Sequence, residues 1–196
     1  MRVFLSHNKS DKQLARLLGM ALVEQGVGVW FDEWNIKLGD SITRGISTGL
    51  EEADTFLILW SKNAERSGWM PLEFSSFLHR RAQDQELKIV PIMLDDTPLP
   101  PFVRDFKGAQ LRQATDIPEV AAGIGGKIPA RELARRLQGS LIEITGGGSP
   151  AVDPYIVCPK CGAEKLTRGR SDDFERGDTY EWVRCSECDW LESGEV

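Results

Sequence analysis

One pair of residues in the middle of the chain has the spacing for carboxylate chemistry. Trp69 and Glu73 are four residues apart, and in a helix that separation places both side chains on one face. Ser67, Gly68 and Pro71 are typical of a helix entrance, where proline is tolerated. A carboxylate there can offer negative charge or a nucleophile to a ligand. The competing interpretations are a solvated glutamate and an ordinary core indole.

Four cysteines near the C-terminus form a second chemical pattern. They occur as two Cys-x-x-Cys pairs, Cys158/Cys161 and Cys185/Cys188, separated by 23 residues. Two such pairs close a tetrahedral zinc site, each pair forming a knuckle. Disulfides are the alternative, which a reducing cytoplasm disfavours. We predict a structural zinc in a segment similar to a zinc ribbon, because about 45 residues rarely bury enough surface to fold alone.

The composition is that of a globular protein. Of 196 residues, 41% are apolar and 28% are charged, which excludes a disordered chain. No apolar run reaches the roughly 18 residues that a membrane-spanning helix needs. The apolar start, residues 1–6, is too short for a signal peptide and is typical of a strand, so we expect a cytoplasmic location. The net charge of −6 gives no general attraction to nucleic acid or to an anionic membrane.

Apolar runs alternate with helical patterns through the first 140 or so residues, which favours a parallel five-stranded sheet with helices on both faces. One helix is expected to begin with Ser10 as its N-cap, a second to span residues 41–52, and a third to carry Glu73. Pro91 indicates an edge or kinked strand. The predicted strands are residues 3–5, 29–31, 56–60, 88–94 and 109–111.

The loops that follow parallel strands all lie at the carboxyl edge of the sheet. The loops of residues 6–11, 32–40 and 61–73 should therefore converge into one cleft, and open α/β sheets bind their ligands at that edge. This convergence favours the functional interpretation of Glu73 over a solvated side chain.

Three motifs, taken together, resemble a known family. They are Val3-Phe4-Leu5-Ser6-His7, then Val29-Trp30-Phe31-Asp32-x-Trp34 leading to Leu38-Gly39-Asp40-Ser41-Ile42, and finally Ser67-x-Trp69-x-x-x-Glu73. In this order they are similar to a Toll/interleukin-1 receptor (TIR) domain of the bacterial type, over most of the chain before the cysteines. The resemblance implies a flavodoxin-like sheet with a mobile loop after the second strand.

The resemblance also implies an activity, because catalytic members of the family cleave the nicotinamide–ribose bond of NAD. The products are ADP-ribose or a cyclic ADP-ribose isomer. The family's catalytic glutamate falls on Glu73 and its preceding aromatic residue on Trp69. The residues expected to contact NAD are His7, Asn8, Lys9, Trp34, Lys37, Gly39 and Trp69. Some catalytic members carry arginines where this chain has Asn8 and Lys9, which leaves phosphate recognition open.

Several of these residues have a second interpretation. Trp34 can stack on adenine, contact a neighbouring protomer or anchor its loop. His7 can be a hydrogen-bonded loop residue, and Lys9 and Lys37 can be solvated. Asp32 is interpreted as a cap of the loop backbone.

Two functions from different classes follow from the sequence. The first is an NAD glycohydrolase in bacterial anti-phage defence, with NAD as substrate, self-association through TIR domains and a partner defence protein. The second is a non-catalytic TIR scaffold or effector. Nucleic-acid sensing by the cysteine module is disfavoured, because residues 151–196 hold 6 Lys/Arg and 11 Asp/Glu. The predicted domains are a TIR domain at 1–143, a glycine-rich linker at 144–154 and a zinc ribbon at 155–196.

Overall fold

The computed structural model describes residues 1–67, 72–84, 86–144, 155, 157–173 and 178–195. The chain forms two compact units, Met1–Pro129 and Ala130–Val196. Within the described ranges, no helix is long and apolar enough to cross a membrane.

The first unit contains a sheet of five parallel strands. The strands are β1 Arg2–Ser6, β2 Gly28–Trp30, β3 Thr55–Trp60, β4 Lys88–Met93 and β5 Ala109–Gln110. Their order in the sheet is β2-β1-β3-β4-β5. Every residue of the central strand β3 is buried, as expected for a parallel strand covered on both faces. The predicted parallel α/β sheet is confirmed.

Six α-helices are described between and after these strands. They are α1 Lys12–Glu24, α2 Asp32–Asn35, α3 Ile42–Glu52, α4 Lys62–Arg66, α5 Leu72–Gln83 and α6 Ile117–Gly125. Serines cap two of them, because the Ser41 hydroxyl accepts from Arg44 N at 3.4 Å and the Ser61 hydroxyl accepts from Ala64 N at 3.2 Å.

The predicted N-cap at Ser10 is wrong. The Asn8 side chain instead accepts a hydrogen bond from Ser10 N at 2.9 Å and caps a 3-10 turn, Lys9–Asp11, which leads into α1 at Lys12. Asparagine and serine are both favoured N-cap residues. Because a 3-10 turn precedes α1, the N-cap is Asn8, two residues closer to β1 than Ser10.

Of the two expectations for the strand with Pro91, the edge position is wrong by one strand, and the kink stays a prediction. The two-residue strand β5 lies outside β4 and pairs only with Ile92 and Met93. The missing N–H of Pro91 therefore falls before the β5 ladder begins, where it costs no hydrogen bond.

Aromatic rings fix α5 against one face of the sheet. Phe4 of β1 stacks on Phe56 of β3 with ring centroids 5.5 Å apart. Phe74 and Phe77 of α5 lie 5.0 and 5.5 Å from that same Phe56 ring. Because α5 follows β3 after a loop at the carboxyl edge, its first turn lies at that edge.

The second unit consists of one helix and a three-stranded antiparallel sheet. Its elements are α7 Ala130–Ile144, β6 Leu166–Asp173, β7 Asp178–Cys185 and β8 Leu191–Glu195, in the sheet order β6-β7-β8. Gln138 of α7 accepts a hydrogen bond from Val157 N at 3.0 Å, and Arg131 lies 3.6 Å from Glu164. The helix thus bonds to the cysteine module, although the sequence prediction counted it with the TIR domain. The predicted linker lies outside the described residues beyond Ile144, and the predicted boundaries stay predictions.

Candidate functional site

Three loops meet at the carboxyl edge of the first sheet. They follow β1, β2 and β3, which are neighbours in the order β2-β1-β3 and run parallel. Side chains of the first loop contact both of the others, so the predicted convergence of the loops is confirmed among the described residues.

The first and third loops are joined by two side chains. Asn8 Nδ2 donates to Ser67 Oγ at 3.0 Å and to Asn63 O at 3.3 Å. Asp11 accepts from Ser61 Oγ at 2.6 Å and from Asn63 Nδ2 at 2.9 Å. Both ends of the Asn8 amide are thus used within the protein, whereas the neighbouring Lys9 is exposed. Asp11 has no assigned role in the sequence prediction, and its one sequence signal is an acid at a helix entrance.

Aromatic contacts join the first loop to the second. The ring of His7 lies 5.0 Å from that of Phe31, and Phe31 makes an edge-to-face contact with Trp34 at 5.0 Å. A Cβ at Gly19 of α1 would lie 2.9 Å from Cη2 of Trp34, so the indole covers bare helix backbone. Trp34 is 36% exposed, so the indole is packed against α1 on one part and open to solvent on the other.

A network of charges ties α1 to the short helix α2. Lys12 Nζ lies 3.7 Å from Asp32 and 3.5 Å from Glu33, and Arg16 lies 3.2 Å from Glu33. Asp32 also accepts a hydrogen bond from Glu33 N at 2.7 Å, within α2 itself, whose N-cap is Phe31. Its interpretation as a cap of the loop backbone stays a prediction. The sequence prediction missed Lys12, Arg16 and Glu33, because partners on different elements have no fixed sequence spacing.

The rest of the second loop is a tight turn with an exposed apolar tip. Lys37 N donates to the Asp40 carboxylate at 2.9 Å, and Asp40 N donates to Lys37 O at 3.0 Å. Gly39 has φ 92°, which few residues other than glycine adopt. The side chain of Leu38 is fully exposed and that of Ile42 is 64% exposed.

The glutamate singled out by the sequence is the second residue of α5. Its backbone therefore lies at the same edge as the three loops, and Phe74, next along the chain, is buried in the core. Only the backbone of Glu73 is described, and Trp69 lies outside the described residues. The predicted stacking of the two side chains stays a prediction.

His7 is a buried titratable group at this edge. Its side chain is 7% exposed, and its Nε2 lies 3.9 Å from Asp32 Oδ1. Burial lowers the pKa of His7 below the usual 6.5, against the opposing field of Asp32 and with the aid of Lys12. Asp11 raises the pKa weakly. The imidazole is therefore neutral at neutral pH.

Acidification is expected to destabilise the fold through His7. Because its pKa is lowered in the folded state, the unfolded chain takes up the proton first as the pH drops through 6.5. The stabilisation is present above that pH and is lost as the pH falls towards the folded pKa. Denaturant unfolding gives the free energy of unfolding at about pH 7.5 and at about pH 5.5. Between these two pH values, this free energy should fall less in His7→Gln than in wild type. The control is His79→Gln, because His79 of α5 is exposed, and this variant should behave as wild type. The same fall in the free energy of unfolding in all three proteins would contradict the prediction.

The second unit contains a candidate metal centre. The four Sγ atoms of Cys158, Cys161, Cys185 and Cys188 all lie within 4.8 Å of one another. Pairs from opposite knuckles are 3.7 Å apart, for Cys158 and Cys188, and 3.6 Å apart, for Cys161 and Cys185. Tetrahedral Zn–S bonds of about 2.3 Å place neighbouring sulfurs about 3.8 Å apart, so the donor set fits zinc.

The knuckle backbones also suit thiolate ligands. Gly162 has φ 72°, which closes the first knuckle, and Glu187 N donates to Cys185 Sγ at 3.3 Å. Although burial opposes it, N–H donors from Cys161 and Lys160 lower the pKa of Cys158 to about 7. Despite an N–H donor from Trp190, burial and the neighbouring thiols instead raise the pKa of Cys188 to about 12.

Comparison with known proteins gives matches to the first unit. A family model described as TIR domain matches residues 3–123. The NAD(+) hydrolase TcpC of Escherichia coli O6:H1 is 36% identical over 90 residues, 45% of this chain and 29% of that protein. The 2' cyclic ADP-D-ribose synthase BtTIR of Bacteroides thetaiotaomicron is 32% identical over 90 residues, 45% of this chain and 31% of that protein. The match thus spans less than a third of either relative.

Among solved structures, the TIR domain of the Toll-related receptor TRR-2 from Hydra magnipapillata matches 63% of this chain and 93% of that chain. Its TM-score is 0.47 and its sequence identity is 12%.

Proposed function

The chain belongs to the TIR-domain family, and from that premise we propose that it cleaves NAD between nicotinamide and ribose. The observation that carries the proposal is Glu73 in the first turn of α5, at the edge of the sheet where three loops meet. Two bacterial relatives, an NAD(+) hydrolase and a cyclic ADP-ribose synthase, support NAD as the substrate. The product is then ADP-ribose or a cyclic isomer of it.

One carboxylate suffices for this reaction. Nicotinamide leaves as a neutral molecule, so no general acid has to protonate it. Its departure produces an oxocarbenium-like ribose, which an adjacent carboxylate stabilises or captures, as in glycoside hydrolysis. Glu73 supplies that carboxylate, and the N-terminus of the 12-residue helix α5 favours its ionised form.

The loop residues bind the rest of the substrate in this proposal. Trp69 walls the nicotinamide side of the pocket and excludes water, and the open part of Trp34 stacks on adenine. Lys37 and Lys9 contact the phosphates. Gly39 allows close approach of the backbone, and His7 and Asn8 hold the first loop against the other two. The support for these roles is the family resemblance together with the meeting of the loops.

Purified protein incubated with NAD tests the proposal directly. We expect nicotinamide to appear, and chromatography of the second product to give ADP-ribose or a cyclic isomer. No nicotinamide at any protein concentration would favour the scaffold function instead. From the resemblance alone, we propose a role in bacterial anti-phage defence, with a partner defence protein that responds to NAD loss or to the product.

A second observation favours self-association, as a scaffold or as a condition for catalysis. The exposed Leu38 lies in the turn between α2 and α3, and the exposed Ile42 is the first residue of α3. Apolar side chains exposed together are typical of protein contact sites. We propose that a second copy of the TIR domain docks on this turn and completes the pocket.

Replacing Leu38 with aspartate should weaken this docking by about tenfold or more, since it places a charge at the centre of an apolar contact. Analytical ultracentrifugation and nicotinamide release across a range of protein concentrations measure the effect. Leu191→Asp is the matched control, because Leu191 is 58% exposed and belongs to the second unit. Unchanged association of the Leu38 variant would remove the turn from the interface.

We also propose that the four cysteines bind one structural zinc ion per chain. The support is the sulfur spacing of the cluster, with Sγ atoms 3.6–3.7 Å apart across the knuckles. The acidic balance of this module continues to disfavour phosphate binding, so its lack of nucleic-acid affinity stays a prediction.

A further inference from the structure

One face of the antiparallel sheet in the second unit carries aromatic side chains where polar ones are expected. Tyr180, Trp182 and Arg184 alternate along β7 and therefore share a face, whereas Val183 lies on the opposite face and is buried. An antiparallel sheet packed on one face normally turns polar residues outwards on the other. Tryptophan, tyrosine and arginine are also the residue types enriched where proteins bind their partners. The aromatic face is therefore a candidate binding surface.

A groove on this face is large enough for a ligand. Its volume is ≈ 840 Å³, within the range of ligand pockets. The groove runs from Ser171 and Tyr180, which pair between β6 and β7, to the cysteine cluster at Cys185 and Cys188. Tyr180 and Cys185 are five residues apart in β7, roughly 17 Å along a strand. The groove therefore extends well beyond the candidate metal centre.

Two indoles of the groove are held in place before any ligand arrives. Trp182 lies across β6, because a Cβ on its pairing partner Gly169 would fall 2.2 Å from Cζ2 of the indole. The guanidinium carbon of Arg184 lies 5.7 Å from the centre of the same ring system. Trp190 makes an edge-to-face contact with the buried Tyr155, with ring centroids 4.8 Å apart. Rings that are already ordered lose little conformational entropy on binding.

The chemistry of the lining favours an uncharged ligand that is rich in hydrogen-bond acceptors. Indole N–H groups and the guanidinium of Arg184 donate hydrogen bonds and cannot accept them. The charged lining residues are Arg184 and Asp189, which have opposite signs, and Asp189 pairs with Lys160. The acidic balance of residues 151–196 opposes a nucleotide or another phosphate ligand. A polyproline II segment meets these requirements, because its proline rings pack on aromatic side chains and its carbonyl groups are free to accept.

We propose that this groove binds a proline-rich peptide of a partner protein in the polyproline II conformation. A length of roughly 17 Å takes about five residues of such a chain, which rises about 3.1 Å per residue. The proline rings contact Trp182 and Trp190, and the peptide carbonyls accept from the indoles and from Arg184. The cysteine module is then a recruitment module, and this role is independent of whether the first unit cleaves NAD.

Calorimetric titration of the full chain with a polyproline peptide of about ten residues tests the proposal. We expect saturable binding with a Kd of about 100 µM or tighter, and none with a peptide of equal length in which alanine replaces proline. Trp182→Leu keeps an apolar side chain and removes the ring, so it should weaken binding by about tenfold or more. The matched control is Glu192→Gln, because the exposed Glu192 pairs with Val183 on the opposite face. This variant should bind the peptide as wild type does.

NMR of the indole N–H groups in the wild-type protein gives a second readout, which needs no variant to fold. The polyproline peptide should shift the signals of Trp182 and Trp190 and leave that of Trp60 unchanged, since the Trp60 indole donates to Pro98 O within the first unit. Equal binding of the two peptides, binding of neither, or shifts confined to the first unit would overturn the proposal. Tighter binding of adenosine monophosphate than of polyproline would also overturn it, because the groove would then be a nucleotide site.

Discussion

The Glu73→Gln protein is expected to release nicotinamide from NAD at least about a hundredfold more slowly than wild type, the loss typical of one preorganised electrostatic group. Glutamine keeps the shape of the side chain and removes its charge, so the ribosyl cation loses its counter-charge while the pocket keeps its volume. Glu73→Ala should be no more than slightly worse. The measurement is nicotinamide release by chromatography, at protein concentrations high enough for self-association.

The control for this experiment is Glu65→Gln. Glu65 is an exposed glutamate of α4, in the same loop region, and its loss should leave the rate unchanged. In wild type, the rate should rise more than linearly with enzyme concentration, because the pocket is completed by a second copy in our proposal. Equal rates for wild type and Glu73→Gln would remove Glu73 from the chemistry.

Removing zinc should unfold the cysteine-bearing sheet and leave the five-stranded sheet of the first unit intact. Apparent zinc-binding free energies of about 10–16 kcal/mol exceed what so small a module gains from its own core, so loss of the ion removes the fold. Cys158→Ser should act as the chelator does, because Cys158 is buried and contributes one of the four sulfurs. Amide NMR spectra before and after chelation separate the strands β6–β8 from the strands β1–β5.

Glu187→Gln is the matched control within the second knuckle. Glu187 lies between two of the proposed zinc ligands, but its side chain is exposed and pairs with the exposed Lys165 at 3.2 Å. Metal content and amide spectra should match wild type, since exposed ion pairs contribute little. Less than one zinc per chain in freshly purified folded protein, or four thiols reactive in it, would refute the structural zinc.

The central strands were predictable from the sequence, whereas contacts between distant elements were not. The run Phe56–Trp60 predicts a strand buried on both faces because nothing polar interrupts it, and β3 differs only by starting one residue earlier. The predicted second strand is shifted by one residue, because Phe31 reads as apolar strand but precedes α2. A four-residue helix is too short for a periodic pattern to reveal it.

The candidate site divides in the same way. Strand order and loop order predicted that three loops meet at the carboxyl edge of the sheet, because parallel connections leave few topologies. The bridges from Asn8 and Asp11 to the third loop depend on three-dimensional approach across more than fifty residues of chain, and no local pattern encodes them. The sequence of α7 is amphipathic, but an amphipathic pattern does not indicate which element the helix packs against. In the structure, α7 bonds to the cysteine module through Gln138 and Val157.

The contact of Trp34 with Gly19 links two positions that are 15 residues apart in sequence. Any side chain at residue 19 would place its Cβ 2.9 Å from the indole of Trp34. Trp34 can therefore pack against α1 only while residue 19 is glycine. The two positions should therefore covary among related sequences: alanine or larger at 19 should accompany a smaller residue at 34. A lineage that changes one position without the other should carry a displaced second loop and, in our proposal, a weaker contact with the adenine of NAD.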